Sequence, residues 1–123
     1  MLEKGLRYTV RKQVGAADTA LAMGSGDMEV FATPAMVALM EHAAMRAVAA
    51  RLPAGSTTVG AEMSTSHIRP SAPGAVVTAE AELVAVEERK LTFRVAAFDG
   101  DRMIGQGTHV RYVVDRDRFL SKL

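Results

Sequence analysis

A threonine, a glutamate and a histidine, at positions 33, 41 and 67, are the residues of this chain whose types and spacing could do chemistry. Hydroxyl, carboxylate and imidazole together are the parts of an acyl-transfer site: a nucleophile or positioning group, an orienting acid, and a proton carrier. Glu41 stands out first. On a helix its neighbours at three and four residues are Val37, Ala38, Ala44 and Met45, all apolar. A carboxylate on so greasy a flank must find a donor, take up a proton, serve a site, or reach solvent through a gap. His67 falls on the odd-numbered face of a strand whose Val59, Ala61 and Met63 mark that face as inward, where a structural core histidine is the plain alternative. Thr33 precedes Pro34 and reads as a helix N-cap, a role worth about 1 kcal/mol by itself. A hydroxyl there also lies where helix N–H groups favour developing negative charge. His42 points about 100° away from Glu41, beside Arg46, and reads as solvated. His109 reads as an ordinary strand position. Thr33 and Glu41 are separated by eight residues of helix, about 12 Å, and cannot touch within one chain. If both serve one reaction centre, the substrate spans the gap or a second subunit supplies one of them.

The elements that must position these residues are legible. Thr33 as N-cap and Pro34 as first helical residue open a helix of good formers that runs to Leu52 and is stopped by Pro53 and Gly55. It is apolar on most sides, so something must wrap it. Period-two alternation follows. One strand runs from Thr58 to Ile68. A second, 76–86, turns Val77, Ala79, Ala81, Leu83 and Ala85 inward. A third carries Leu91, Phe93, Val95 and Ala97 after a turn at 87–90. Asp99-Gly100 marks a hairpin into a last strand over 102–114, where Gly105 and Gly107 signal a bulge or a close backbone approach. A strand near Leu6 to Val14 makes at least five. The fold class is α+β: one long helix wrapped by a curved antiparallel sheet, one domain over 1–123. Such a sheet has two free edges, and pairing one with a second copy would remove it, so a homodimer is expected.

Composition narrows the function classes. The 123 residues suit a single domain, with 49% apolar and 24% charged residues, the balance of a folded globular chain. A formal charge of +1 gives no argument for nucleic acid. No apolar run is long enough for a bilayer or a signal peptide. With no cysteine there is no disulfide, thiol nucleophile or zinc knuckle, and nothing calls for a metal or cofactor. The C-terminal Ser121-Lys122-Leu123 spells a peroxisomal address, but the cytoplasm is the expected location.

The segments Val30-Phe31-Ala32-Thr33-Pro34, Leu39-Met40-Glu41, Thr57-Thr58-Val59-Gly60, Ser66-His67, Pro73-Gly74 and Gly107-Thr108-His109-Val110-Arg111 resemble the fluoroacetyl-CoA thioesterase-like family of hot-dog proteins. The resemblance covers roughly residues 6–115. It implies a hot-dog fold paired edge to edge, hydrolysis of a short acyl-CoA thioester, a Thr33–His67–Glu41 catalytic set, a Gly60 backbone that helps bind the thioester carbonyl, and Arg111 near the site. Ahead of the helix the sequence departs from the fluoroacetate-specific pattern. The stretch from Ala22 to Glu29 is short and has no aromatic residue, so the resemblance implies general thioesterase chemistry rather than fluoroacetyl specificity. An enoyl-CoA hydratase or dehydratase on the same fold, and a non-catalytic acyl-CoA-binding dimer, are the alternatives.

Overall fold

In a computed structural model, which describes residues 2–123, the sheet is built first from β1 (Arg7–Gln13). After a 3-10 turn at Ala16–Asp18 come a short helix, α1 (Ala20–Met23), and the long helix α2 (Thr33–Ala49). Strands β2 (Ser56–His67), β3 (Val76–Glu87), β4 (Lys90–Asp99) and β5 (Arg102–Asp115) follow, and α3 (Arg116–Ser121) ends the chain. All five strands form one antiparallel sheet in the order β1-β3-β4-β5-β2. β1 and β2 are therefore its two edges.

Burial explains why the sheet curls over α2. Met36, Met40, Ala43, Ala44 and Val48 recur at helical spacing and are fully covered. They meet Val77, Ala79, Ala81 and Leu83 of β3, Leu91, Phe93, Val95 and Ala97 of β4, and Ile104 of β5. Each large side chain so buried contributes about 1.5–3 kcal/mol. The helix is covered on one side only: Ala38, His42, Arg46 and Ala49 are exposed. Arg46 there donates to the Tyr8 hydroxyl at 3.0 Å, with its guanidinium over the Tyr8 ring. Both tight reversals need left-handed backbone, supplied by Glu88 (φ 58°) between β3 and β4 and by Gly100 (φ 63°) between β4 and β5.

Gly105 and Gly107 mark a close approach. A Cβ on Gly105 would lie 2.6 Å from the Ser66 carbonyl oxygen and 2.7 Å from Met36 Sδ. One on Gly107 would run into the Ser64 carbonyl. Without side chains here, β2 can lie close against β5 and bring its His67 end to the start of α2.

Three sequence expectations are corrected. The N-cap of α2 is Ala32, and Thr33 is already helical; no side chain caps this end, and Pro34 occupies the first turn. The helix stops at Ala49, before the Pro53-Gly55 breakers act. Finally, β2 does not keep one inward face. A bulge between Gly60 and Glu62 inserts Ala61 and reverses the alternation. Before it Thr58 is buried, Val59 is only half-buried, and Ala61 is exposed; after it Met63, Thr65 and His67 turn inward.

Candidate active site

The structure brings two of the three sequence-predicted residues together. Thr33 Oγ1 and His67 Nδ1 are 2.8 Å apart. Because Thr33 sits inside the first turn rather than at the cap, its hydroxyl is free of the capping role and turns to the imidazole. The backbone N–H groups of that first turn lack helical partners and give the spot a positive potential. The His67 ring packs edge-on to Phe31, with centroids 6.3 Å apart. Its Nε2 is buried and has no hydrogen-bond partner among the described residues. Burial holds the His67 pKa below the usual histidine range, the backbone of Arg69 working in the opposite direction. The pair opens on a cleft of about 280 Å³ walled by Ala20, Val30, Phe31, Ile68 and Pro70, with Arg69 at its side.

Glu41 is not in that pair. It lies two turns further along α2, half-buried, and makes no ion pair within 4 Å among the described residues. Its surroundings are a second cluster. The point where a Cβ of Gly60 would stand is 2.8 Å from Glu41 Oε2, 3.4 Å from Arg111 Nη1 and 3.4 Å from His109 Cε1. Arg111 is buried and fixed: Nε donates to Thr58 Oγ1 at 2.9 Å and Nη2 to the Thr58 carbonyl at 3.0 Å. Gly60 and Arg111 are thus neighbours, and Glu41 joins them.

His109 is the residue that sequence reasoning passed over. It is 1% exposed, against the core ring of Phe93, and its Nδ1 lies 2.7 Å from the Glu62 carbonyl. A signal was present: Gly105, Gly107, His109 and Arg111 share one period-two face, and Gly105 on it is inward-facing. His42 is exposed, as its place beside Arg46 predicts. No helix of the described residues is long and apolar enough to cross a membrane.

With this geometry fixed, resemblance to known proteins decides the class. Residues 14–117 match the family of the fluoroacetyl-CoA-specific thioesterase FlK. The chain belongs to the FlK family. It is 45% identical over 95 residues to the fluoroacetyl-CoA thioesterase of Streptantibioticus cattleyicolor, covering 77% of this chain and 68% of that one. The crystal structure of FlK superposes with a TM-score of 0.92 at 38% identity, over 99% of this chain and 95% of that one. A FlK variant in complex with fluoroacetate and CoA gives 0.90, also at 38% identity, over 96% and 99%. A Thermus thermophilus hypothetical protein of the thioesterase superfamily shares the fold alone, with a TM-score of 0.91 at 22% identity over 99% and 90%. As a FlK-family member this chain has the hot-dog fold and is a CoA thioesterase, a hydrolase of thioester bonds.

Proposed function

We propose that this FlK-family enzyme, acting as one domain over 1–123, hydrolyses a short acyl-CoA to the free acid and CoA in two centres shared by a homodimer. Each centre takes Thr33 and His67 from one subunit and Glu41 from the other. The observation that carries the reading is the 2.8 Å contact between Thr33 Oγ1 and His67 Nδ1 beside the start of α2. A hydroxyl in reach of an imidazole, at a helix N-terminus, is equipped to attack or position a thioester carbonyl.

Two unpartnered groups support the shared centre. His67 Nε2 is buried without a partner, and the Glu41 carboxylate has no cation within ion-pair distance among the described residues. They flank different halves of β2, His67 at its end and Glu41 against Gly60, and β2 is a sheet edge unpaired within the chain. Antiparallel pairing of β2 with a second β2 about a two-fold axis at Ser64, with the bulged Ala61 left out of the ladder, sets Gly60 opposite the partner subunit's His67. Glu41, which lies against Gly60, then meets that imidazole and stabilises its protonated form.

In such a centre the attacking oxygen, from Thr33 or from water, loses its proton to His67 as it bonds to the carbonyl carbon. The C–S bond breaks and the proton passes to the CoA sulfur. With Thr33 as nucleophile an acyl-threonine ester remains, and a water activated by His67 hydrolyses it. Direct attack by Glu41 would give an anhydride that water then opens. The Gly60 backbone and Arg111 flank the carbonyl. The acyl group rests against Val30, Phe31 and Ile68. No aromatic residue occurs between Ala22 and Glu29, so fluoroacetyl-CoA has no preference over acetyl-CoA.

Free thiol release across acetyl, branched, aromatic and halogenated acyl-CoAs tests the activity; no turnover of any of them sinks it. Subunit mixing tests the shared centre. Glu41→Gln and His67→Ala proteins, each inactive alone, regain about a quarter of parental activity when scrambled into heterodimers, because one of two centres is then intact in half of the dimers. No recovery on mixing means that all three groups act within one chain.

A further inference from the structure

We propose that His109 is a positioning residue of this thioesterase, holding the Arg111 guanidinium beside Gly60 and out of an ion pair with Glu41. The inference rests on the reading above that Gly60, Arg111 and Glu41 border the reaction centre.

The hydrogen bonds fix the state of the ring. The Glu62 carbonyl can only accept, so His109 Nδ1 carries the proton. Arg111 Nη1 can only donate, so His109 Nε2, 3.2 Å away, is the acceptor. Every nitrogen of His109 is thereby engaged, and the ring is neutral. Burial lowers its pKa most, the Glu62 carbonyl opposes, Arg111 lowers it further and Glu41 raises it. A protonated ring would set two cations face to face.

The same bonds account for the arginine. Its Nε and Nη2 are spent on Thr58, and Nη1 is the nitrogen nearest Gly60. Glu41 Oε2 converges on that point from the helix side. Opposite charges this close ordinarily collapse into contact, yet no Glu41–Arg111 ion pair forms within 4 Å. The His109 acceptor holds Nη1 back. Remove it, and Nη1 is left without its acceptor while Thr58 still holds the guanidinium, so the half-buried Glu41 carboxylate turns onto Nη1 and away from the imidazole it serves.

Two substitutions divide the roles of the ring. His109→Gln places an acceptor near the Nε2 position and loses the donor to Glu62. His109→Asn keeps a donor near the Nδ1 position and loses the acceptor for Arg111. We expect His109→Asn to lower kcat about 30-fold, with KM within threefold and the melting temperature close to parental, and His109→Gln to stay within threefold in kcat. In an Arg111→Met background, His109→Asn adds no further loss, since it acts through the arginine. The proposal is overturned by parental kcat in His109→Asn, by equal losses in both variants, or by losses that multiply in the double variant. If His109→Asn does not fold, a loss above threefold in folded His109→Gln overturns it. Unchanged kcat in Arg111→Met alone instead removes Arg111 from the centre, a failure of the underlying reading.

Discussion

Thr33 and His67, 34 residues apart in sequence, meet side chain to side chain at 2.8 Å, while no side chain caps the helix on which Thr33 sits. The hydroxyl is thus not doing the structural work that its place next to Pro34 suggests, and the two roles can be separated by experiment. Thr33→Ala should lower kcat by about 10²–10⁴. Its unfolding free energy should fall by no more than about 1 kcal/mol, the worth of the hydrogen bond to His67, because no cap is lost. Turnover retained in Thr33→Ala, with a loss of stability in denaturant melts, would show that the hydroxyl is structural after all.

The titration of His67 reports on the partner carboxylate. Within one chain burial holds it below the usual range. A carboxylate brought up by a second subunit works against that and raises it. With only three histidines, their ring protons can be resolved by NMR. His67 should titrate at lower pH in Glu41→Gln than in the parent; identical titrations mean that no carboxylate faces the ring.

Stability should fall on mild acidification through His109. Its folded pKa lies below the ordinary value of about 6.5, so the unfolded chain binds this proton first as pH drops. Stability from this group is complete above about pH 6.5 and declines as pH falls through that value towards the folded pKa. Thermal melts followed by circular dichroism should show a shallower decline below pH 6.5 in His109→Gln than in the parent. Parallel curves would mean that the buried ring plays no part in the acid sensitivity.

Gly60→Ala should harm catalysis more than folding. Its Cβ would stand 2.8 Å from Glu41 Oε2, the end of a flexible side chain that can turn away. The backbone survives and the carboxylate is displaced. A drop in kcat of about tenfold or more with a near-parental melting temperature is expected; a parental kcat argues that the carboxylate's place is unimportant.

Gly105→Ala and Gly107→Ala should do the reverse. Here the obstruction is the β2 backbone at Ser66 and Ser64, which cannot rotate aside. Each should cost about 1–3 kcal/mol of stability, in the range of overpacked cores. Denaturant midpoints unchanged from the parent would show that β2 is not held as close as described.

Most of the scaffold was legible in the sequence because it rests on periodicity. The inward set of β4, that of β3 as far as Leu83, and the apolar character of α2 are read directly, and Asp99-Gly100 gives the hairpin; Ala85, expected inward, lies past a second bulge in β3 and outside the core. What escaped depended on single-residue events. Whether Thr33 is the cap or the first helical residue turns on one pair of backbone angles, which its neighbours Ala32 and Pro34 leave open. The bulge at Gly60–Glu62 has no strong sequence mark, since Gly60 also reads as a close approach. Val59 and Ala61 were therefore assigned to a face that Thr58 and Gly60 occupy. His109 was missed because the period-two face that it shares with Gly105, Gly107 and Arg111 says only that the ring points inward; its role comes from Glu62 and Arg111, and the Glu62 carbonyl can be placed only once β2 and β5 are paired.

Ala61, the extra residue in β2, has an outsized effect. Upstream of it the strand aims Thr58 and Gly60 at the arginine and the glutamate; downstream it turns Met63, Thr65 and His67 inward and brings His67 to the helix start. Were Ala61 taken into the ladder as an ordinary paired residue, one half of the strand would have to turn its side chains to water. The arginine cradle and the imidazole can be served by one ribbon only because the ribbon changes step between them.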